Sequence, residues 1–304
     1  ALAASYTDIT ASYKNYVIDS GSLIDIISGH VLETGFGTDI YKWCEDTNRI
    51  IVYGYKKGYI ENNSFIDMVI PICPSVVTNN SGTGDLKYIT AVYKNSAGLT
   101  GGASAPVLLY TGDTYSIITA SGMTPVIYES IENGQILYNQ QSIPLDEWQI
   151  GSYPPPDNSV DVEIFKTQLY VAEYIRQDNK TVIWFSQPYM YHRFNKAQDY
   201  FAVPGKCTNL VSTEDNLIIS TEDYLYSYNG TALIALADYG APIGSTYAEH
   251  DDKRVFMFTN QGICRLNPFE NLTKMNYDSN IVVSAVSQIV ESNGYTKFIT
   301  ITRN

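Results

Sequence analysis

Asn216-Leu217-Ile218-Ile219-Ser220-Thr221-Glu222-Asp223-Tyr224-Leu225-Tyr226 is the stretch whose reading decides the fold. A short apolar run meets a polar turn, and a second strand with an alternating apolar face follows. The same form recurs from Phe256 to Leu266, where Thr259-Asn260-Gln261-Gly262 is the turn before Ile263-Cys264-Arg265-Leu266. It is also present from Ile50 to Ile60, around the expected turn Tyr55-Lys56-Lys57-Gly58. Ile218 and Phe256 lie 38 residues apart, close to the blade period of a β-propeller. Outward from these hairpins, runs rich in Val, Ile, Tyr, Phe and Thr recur, such as Leu169 to Ala172, Thr181 to Phe185 and Lys297 to Ile301. The best helical candidate, Ile24 to Val31, is short and crossed by Gly29. The expectation is an all-β chain with a β-propeller-like domain of about five blades. A sandwich built from similar hairpins is the alternative.

Composition narrows the function. The 304 residues carry 19 Lys and Arg against 32 Asp and Glu, a net charge of −13. Such an excess argues against gripping nucleic acid through its phosphates and against docking on anionic lipid. Charged residues make up 17% and hydrophobic ones 44%, which excludes a charge-rich disordered chain. Tyrosine is unusually frequent, 26 residues against 10 Phe and 3 Trp, and suits both half-buried pleated surfaces and protein interfaces. Cys44, Cys73, Cys207 and Cys264 are widely spaced, form no C-x-x-C pair and read as buried thiols. Ala1 to Thr10 has neither a basic start nor a long apolar run, so no signal peptide is expected there. No run approaches 18 apolar residues, so no membrane insertion is expected.

The chain divides on its punctuation. Thr78-Asn79-Asn80-Ser81-Gly82-Thr83-Gly84-Asp85 reads as a linker, and Ser152-Tyr153-Pro154-Pro155-Pro156-Asp157 as a stiff polyproline stretch. Between them lie strand-like pieces at Leu86 to Tyr93, Val107 to Tyr110, Val126 to Glu129 and Gln135 to Tyr138. The expected organisation is residues 1–77 as the N-terminal part of the propeller, 78–152 as an inserted small β-sandwich, and 153–304 as the C-terminal part.

No catalytic constellation emerges. His30, His192 and His250 lack metal-ligand spacing, and His192 reads as a surface loop residue. There is no G-x-S-x-G elbow, no phosphate-binding loop and no Asp box of the sialidase type. The acidic pairs Asp251-Asp252 and Asp278-x-Asn280 lack the ligand ladder of a calcium loop. The expectation is a protein that is not an enzyme, with no cofactor and no metal.

From Ser152 to Gly205 the sequence resembles virion proteins of tailed bacteriophages, of the tail nozzle, tail tubular and hub type. The resemblance is carried by Pro154-Pro155-Pro156-Asp157, by Val182-Ile183-Trp184-Phe185-Ser186-Gln187-Pro188-Tyr189, and by Phe201-Ala202-Val203-Pro204-Gly205. The hairpins of Leu217 to Tyr226 and Gly240 to Ile263 follow in similar order, and Tyr88 to Ser104 is similar to the family's fibronectin-like piece. Gln187 stands where an acid is usual, and Gly240-Ala241-Pro242-Ile243-Gly244-Ser245 replaces a common Cys-Val-Ser-Lys-Arg run. The resemblance implies a structural protein of the tail or neck, a homo-oligomeric ring enclosing the DNA ejection channel. It further implies contacts with other tail, neck or portal-adaptor proteins, DNA only as passing cargo, and assembly in the host cytoplasm before the protein takes its place in the virion. The alternative is a tail-tip propeller that binds a receptor or glycan, with Trp148 or Tyr191 as stacking residues.

Two groups of residues are singled out. The aromatic segment from Tyr189 to Tyr200 reads as a long loop, with Tyr189, Tyr191, His192, Arg193, Phe194 and Tyr200 as a candidate subunit interface. Tyr153, Pro154, Pro155, Pro156 and Asp157 form a candidate interdomain hinge. Trp184 and Phe185 are expected to point to opposite faces of one strand.

Overall fold

A computed structural model describes residues 9–37, 41–74, 76–79, 82–84, 86–131, 135–138, 141–142, 152–243, 247–250, 253–273, 284–292 and 295–303. Trp148, Asp251, Asp252, Asp278 and Asn280 lie outside them, as does much of Ala1 to Thr10. The described chain is all-β, with no α-helix and one short 3-10 turn at Arg176–Asp178. Ile24 to Val31 forms no helix: it belongs to the strands Ser22–Asp25 and His30–Thr34 and their connection, where Gly29 has φ +69°. The recurring sheet is the four-stranded antiparallel meander of a β-propeller blade.

Each of the three hairpins read from sequence is the second and third strand of such a meander. One meander runs Lys42–Glu45, Ile50–Tyr53, Lys57–Glu61, Ser64–Asp67. Another runs Cys207–Ser212, Leu217–Thr221, Leu225–Tyr228, Leu233–Ala237, and a third Tyr247–Glu249, Val255–Thr259, Gly262–Leu266, Phe269–Asn271. The spacing of 38 residues therefore measures one whole sheet. The inner strands are apolar without alternation because both of their faces are covered, and all five residues of Leu217–Thr221 are buried. One turn is shorter than the sequence suggests. Lys57 and Gly58 are strand residues, and Lys57 is only 4% exposed: its amine lies 5.7 Å from the centroid of the Tyr53 ring and meets Asp157 at 3.0 Å.

The chain packs as two compact units. The first comprises residues 1–157 and 185–200. It contains the meander of Lys42–Glu45 to Ser64–Asp67 and another formed by Ile9–Tyr13, Tyr16–Asp19, Ser22–Asp25 and His30–Thr34. Ile18, Leu23, Phe36, Tyr41, Val52 and Ile60 form a common core for these two sheets. Its middle segment has a five-stranded sheet in the order Val107–Tyr110, Leu86–Lys94, Thr124–Ile131, Gln135–Tyr138, Gln141–Ser142. Val77–Asn79 pairs with Thr114–Ser116, so part of the expected linker is a strand. Ile89, Ala91, Tyr93 and Leu109 from the larger sheet pack with Ile70, Cys73 and Val76.

The second unit comprises residues 158–184 and 201–304. It begins with Asp161–Phe165 and Gln168–Ile175 and holds the other two meanders and a closing hairpin, Ser284–Ser292 with Tyr295–Arg303. Val211, Ile218 and Leu225 share a core with Val255, Met257, Cys264 and Leu266 of the following meander. Tyr170, Phe201 and Tyr228 add ring contacts, with centroids 4.5 and 6.1 Å apart. The four cysteines are all buried thiols.

Gly240 fixes a close backbone approach in this second unit. A Cβ there would lie 1.8 Å from the Thr221 carbonyl oxygen, which accepts the Ala241 N–H at 3.0 Å. Gly240→Ala is expected to lower stability by about 2 kcal/mol or more, because backbone must move. Urea denaturation read by tyrosine fluorescence checks this; an unchanged midpoint would contradict the close approach.

Candidate functional site

In the first unit, the hairpin joining Lys42–Glu45 to Ile50–Tyr53 is closed by Asp46. Its Oδ1 accepts the N–H groups of Asn48 at 2.9 Å and Arg49 at 2.8 Å, a local turn that Asp forms readily. Its Oδ2 accepts Arg49 Nε at 3.1 Å, lies 2.9 Å from Arg49 Nη2, and accepts the Tyr191 hydroxyl at 2.7 Å. The Arg49 guanidinium lies 4.4 Å from the Tyr191 ring centroid and 5.6 Å from that of Tyr59. Burial is the largest single influence on the Asp46 carboxyl and raises its pKa. The Tyr191 hydroxyl, the two backbone donors and the Arg49 charge together outweigh it, so the pKa lies below the usual value. Burial, followed by the bond to Asp46, pushes the Tyr191 phenol up.

Arg49, Tyr59 and the segment Tyr189 to Arg193 line an open cleft of about 270 Å³, closed on its other side by Gly98, Leu99 and Thr100. Asn95 shapes that side, its Oδ1 accepting the Ala97 and Leu99 N–H groups at 3.1 and 2.9 Å. Arg193 donates through Nε to the Thr100 carbonyl at 3.1 Å and through Nη2 to the Thr100 hydroxyl. His192 is 8% exposed, and among the described residues its Nε2 has no hydrogen-bond partner. Burial, then the neighbouring Arg193 charge, pulls its pKa down to about 4, so the imidazole is neutral near pH 7.

The expected interface residues divide. Tyr189 and Tyr200 are 66% and 48% exposed, whereas Tyr191, His192, Arg193 and Phe194 are buried. The latter four are internal, and His192 is not a surface loop residue. The reason is that Met190–Phe194 is a strand rather than loop: Phe194 exchanges two backbone hydrogen bonds with Tyr153, at 2.8 and 3.0 Å. Within the segment Tyr191 to Phe194 are buried, whereas Tyr189, Ala197, Gln198 and Tyr200 are exposed.

Three of the five hinge residues have anchoring contacts within the first unit. Tyr153 forms the bridge to Phe194, the buried Tyr53 hydroxyl donates to the Pro156 carbonyl at 2.6 Å, and Asp157 meets Lys57. Asp157 is also where the chain leaves this unit. Trp184 and Phe185 are both half-buried, and Trp184 Nε1 donates to Glu173 at 2.9 Å. Asp46, Arg49, Tyr59 and Thr100 escaped the sequence reading. The Asp46-Thr47-Asn48-Arg49 turn was its available signal, but nothing in it indicates that Tyr191 closes over it from 145 residues away.

Among the described residues no group of three His, Cys, Asp or Glu could hold a metal ion. In the second unit Glu163 is strongly perturbed. Burial raises its pKa to about 7, with Asp161 adding to the effect against hydrogen bonds from the Ile164 N–H, Tyr247 and Ser212. The Tyr247 hydroxyl lies 3.1 Å from it.

No family model and no curated protein matches the chain. Among solved structures it is similar to BamB from Moraxella catarrhalis, at 12% identity and a TM-score of 0.34, covering 91% of this chain and 76% of that one. It is similar to apo AztD from Citrobacter koseri, at 12% identity and 0.29, covering 86% and 80%. It is also similar to PorZ, a surface component of the type-IX secretion system of Porphyromonas gingivalis, at 9% identity and 0.28. That alignment covers 92% of this chain but 48% of PorZ, so the chain spans less than half its length. Likenesses at these scores carry no argument about function, and the fold class rests on the meanders themselves.

His192 and Glu163 are expected to tilt stability in opposite directions with pH. Folded His192 stays neutral down to about 4, whereas in the unfolded chain it takes up a proton near ~6.5, so its contribution is present above that value and lost on acidification. Folded Glu163 keeps its proton up to about 7, whereas the unfolded side chain loses it near ~4.3, so its contribution is lost as pH rises through 7. His192→Asn should flatten the acid limb. Glu163→Gln should gain roughly 2–3 kcal/mol at pH 8 relative to wild type at the same pH. Chemical denaturation from pH 4 to 8 checks both; curves parallel to wild type would contradict the assignments.

Proposed function

We propose that this chain is a structural protein of a tailed-bacteriophage virion, a ring component of the tail or neck that assembles with copies of itself around the DNA ejection channel. In this reading the middle segment, residues 78–152, is an inserted fibronectin-like module, and the chain contacts other tail, neck or portal-adaptor proteins. The observation that carries the reading is a strand edge. Leu233-Ile234-Ala235-Leu236-Ala237 is the last strand of its meander and has no charge, proline or glycine, and Leu233 and Ile234 are 38% and 59% exposed. Soluble proteins commonly block such edges with charge or proline, and an unblocked one is a template for pairing with another chain. Ile299 and Ile301 add a second exposed apolar row on the closing hairpin, at 44% and 72%. The net charge of −13 suits a channel wall, because a surface that bound phosphate would hold back passing DNA. The virion identity rests on the resemblance at Ser152 to Gly205.

Sedimentation of the purified chain tests self-assembly. Wild type is expected to form a closed multimer, whereas Ile234→Lys is expected to run at the 33.9 kDa of one chain with an unchanged β spectrum. Labelled antibody should mark the tail or neck of intact particles. A wild-type chain that stays monomeric at every concentration, or particles without label there, would overturn the proposal.

A further inference from the structure

Two edge strands of the second unit carry complementary features. Among the described residues, Leu233–Ala237 pairs only with Leu225–Tyr228. Leu233, Ile234 and Ala235 keep a regular register with Tyr228, Ser227 and Tyr226, and the register shifts at Leu236. The straight part of this edge is therefore centred on Ile234. The strand has no charge of its own, and the exposed Asp238 follows it. Tyr295–Arg303 pairs only with Ser284–Ser292 among the described residues, along all 9 of its own residues, so its other edge is open. It carries Lys297 and Arg303 and no acid, in a chain of net charge −13.

The exposed side chains of the two strands also correspond. The Phe298 ring lies 5.7 Å from that of Phe256, and the Thr300 hydroxyl 3.1 Å from that of the buried Ser287, so these two residues face their own unit. Lys297, Ile299 and Ile301 alternate with them and are exposed. An antiparallel meeting with Ile234 opposite Ile301 covers two exposed isoleucines and brings the Asp238 end of one strand to the Lys297 end of the other. Pairing either strand with its own copy loses this match. Two copies of Tyr295–Arg303 would bring Lys297 and Arg303 together twice over with no acid between them, and two of Leu233–Ala237 would give Asp238 no cation. Such two-fold pairing also stops at a dimer, whereas a joint between two different edges repeats from copy to copy and can close into a ring.

We infer that the partner of the Leu233–Ala237 edge is the Tyr295–Arg303 strand of a second copy, joined antiparallel and head to tail. The inference rests on the self-assembly proposed above and adds which two surfaces meet.

Sedimentation of two blocked chains, alone and mixed, tests it. Ile234→Lys blocks one edge and Ile301→Lys the other, each at an exposed side chain. Each alone is expected to run as a single chain. An equal mixture is expected to contain 1:1 pairs of twice 33.9 kDa and nothing larger, because each variant keeps the edge that the other lacks. Circular dichroism reports whether both variants fold, and Lys297→Glu, which changes no apolar residue, gives a second reading. It is expected to weaken assembly by about threefold or more, with Asp238→Lys in the same chain restoring it. A wild-type chain that stays monomeric would overturn the self-assembly reading and this inference with it. If wild type assembles, three results would overturn this inference alone: a folded Ile301→Lys that assembles equally well, a mixture of folded variants that forms no pair at any concentration, or assembly that Lys297→Glu leaves unmoved or that Asp238→Lys does not restore.

Discussion

A β-strand that is apolar on both faces needs cover on both. Ile50–Tyr53, Leu217–Thr221 and Val255–Thr259 are such strands, nearly every residue of them buried. A lone hairpin would leave one face of each in water, so packing against neighbouring layers follows from the strands themselves. The last strands of the meanders, Ser64–Asp67, Leu233–Ala237 and Phe269–Asn271, are exposed or half-exposed throughout. This requirement explains why Val211, Ile218 and Leu225 of one meander share a core with Val255, Met257 and Cys264 of the next. Burial of Leu, Ile and Val at about 25 cal/mol per Å² of apolar surface is the main term holding these layers together.

The same requirement decided what was legible in the sequence. Apolar runs of four or five residues closed by Glu222-Asp223 or Asn260-Gln261 mark both the strands and their period. Lys57 was misread because a lysine in a turn-like string looks solvated, yet its amine lies over the Tyr53 ring and finds Asp157 a hundred residues away. Tyr191 to Phe194 were misread because aromatic and basic residues after Pro188 look like a loop. Their burial depends on pairing with Tyr153, a partner that local pattern does not reveal. The hinge residues were found by composition, but their anchoring by Tyr53 and Lys57 was not. Long-range pairing is the part of this structure that periodicity does not carry.

Charge has two roles in the chain. Globally, 32 acids against 19 bases give a net charge of −13, which disfavours contact with phosphate. Locally, the few arginines sit where aromatic rings and carboxylates can hold them, and Arg49 is ordered between Asp46 and Tyr191. Such a pair adds little stability, since the attraction within a partly exposed pair is worth only about 1 kcal/mol or less. The bare edge at Leu233–Ala237 is the opposite kind of feature, with no charge to keep another strand away.

Hydrogen exchange measured across a range of protein concentrations tests the central claim, that doubly covered strands form the core of each unit and that the edge at Leu233–Ala237 pairs with another copy. Amides of Ile50–Tyr53, Leu217–Thr221 and Val255–Thr259 should be the slowest at every concentration, while those of Leu233–Ala237 should slow as concentration rises. Inner strands that exchange as fast as the edge, or an edge whose exchange ignores concentration, would contradict it.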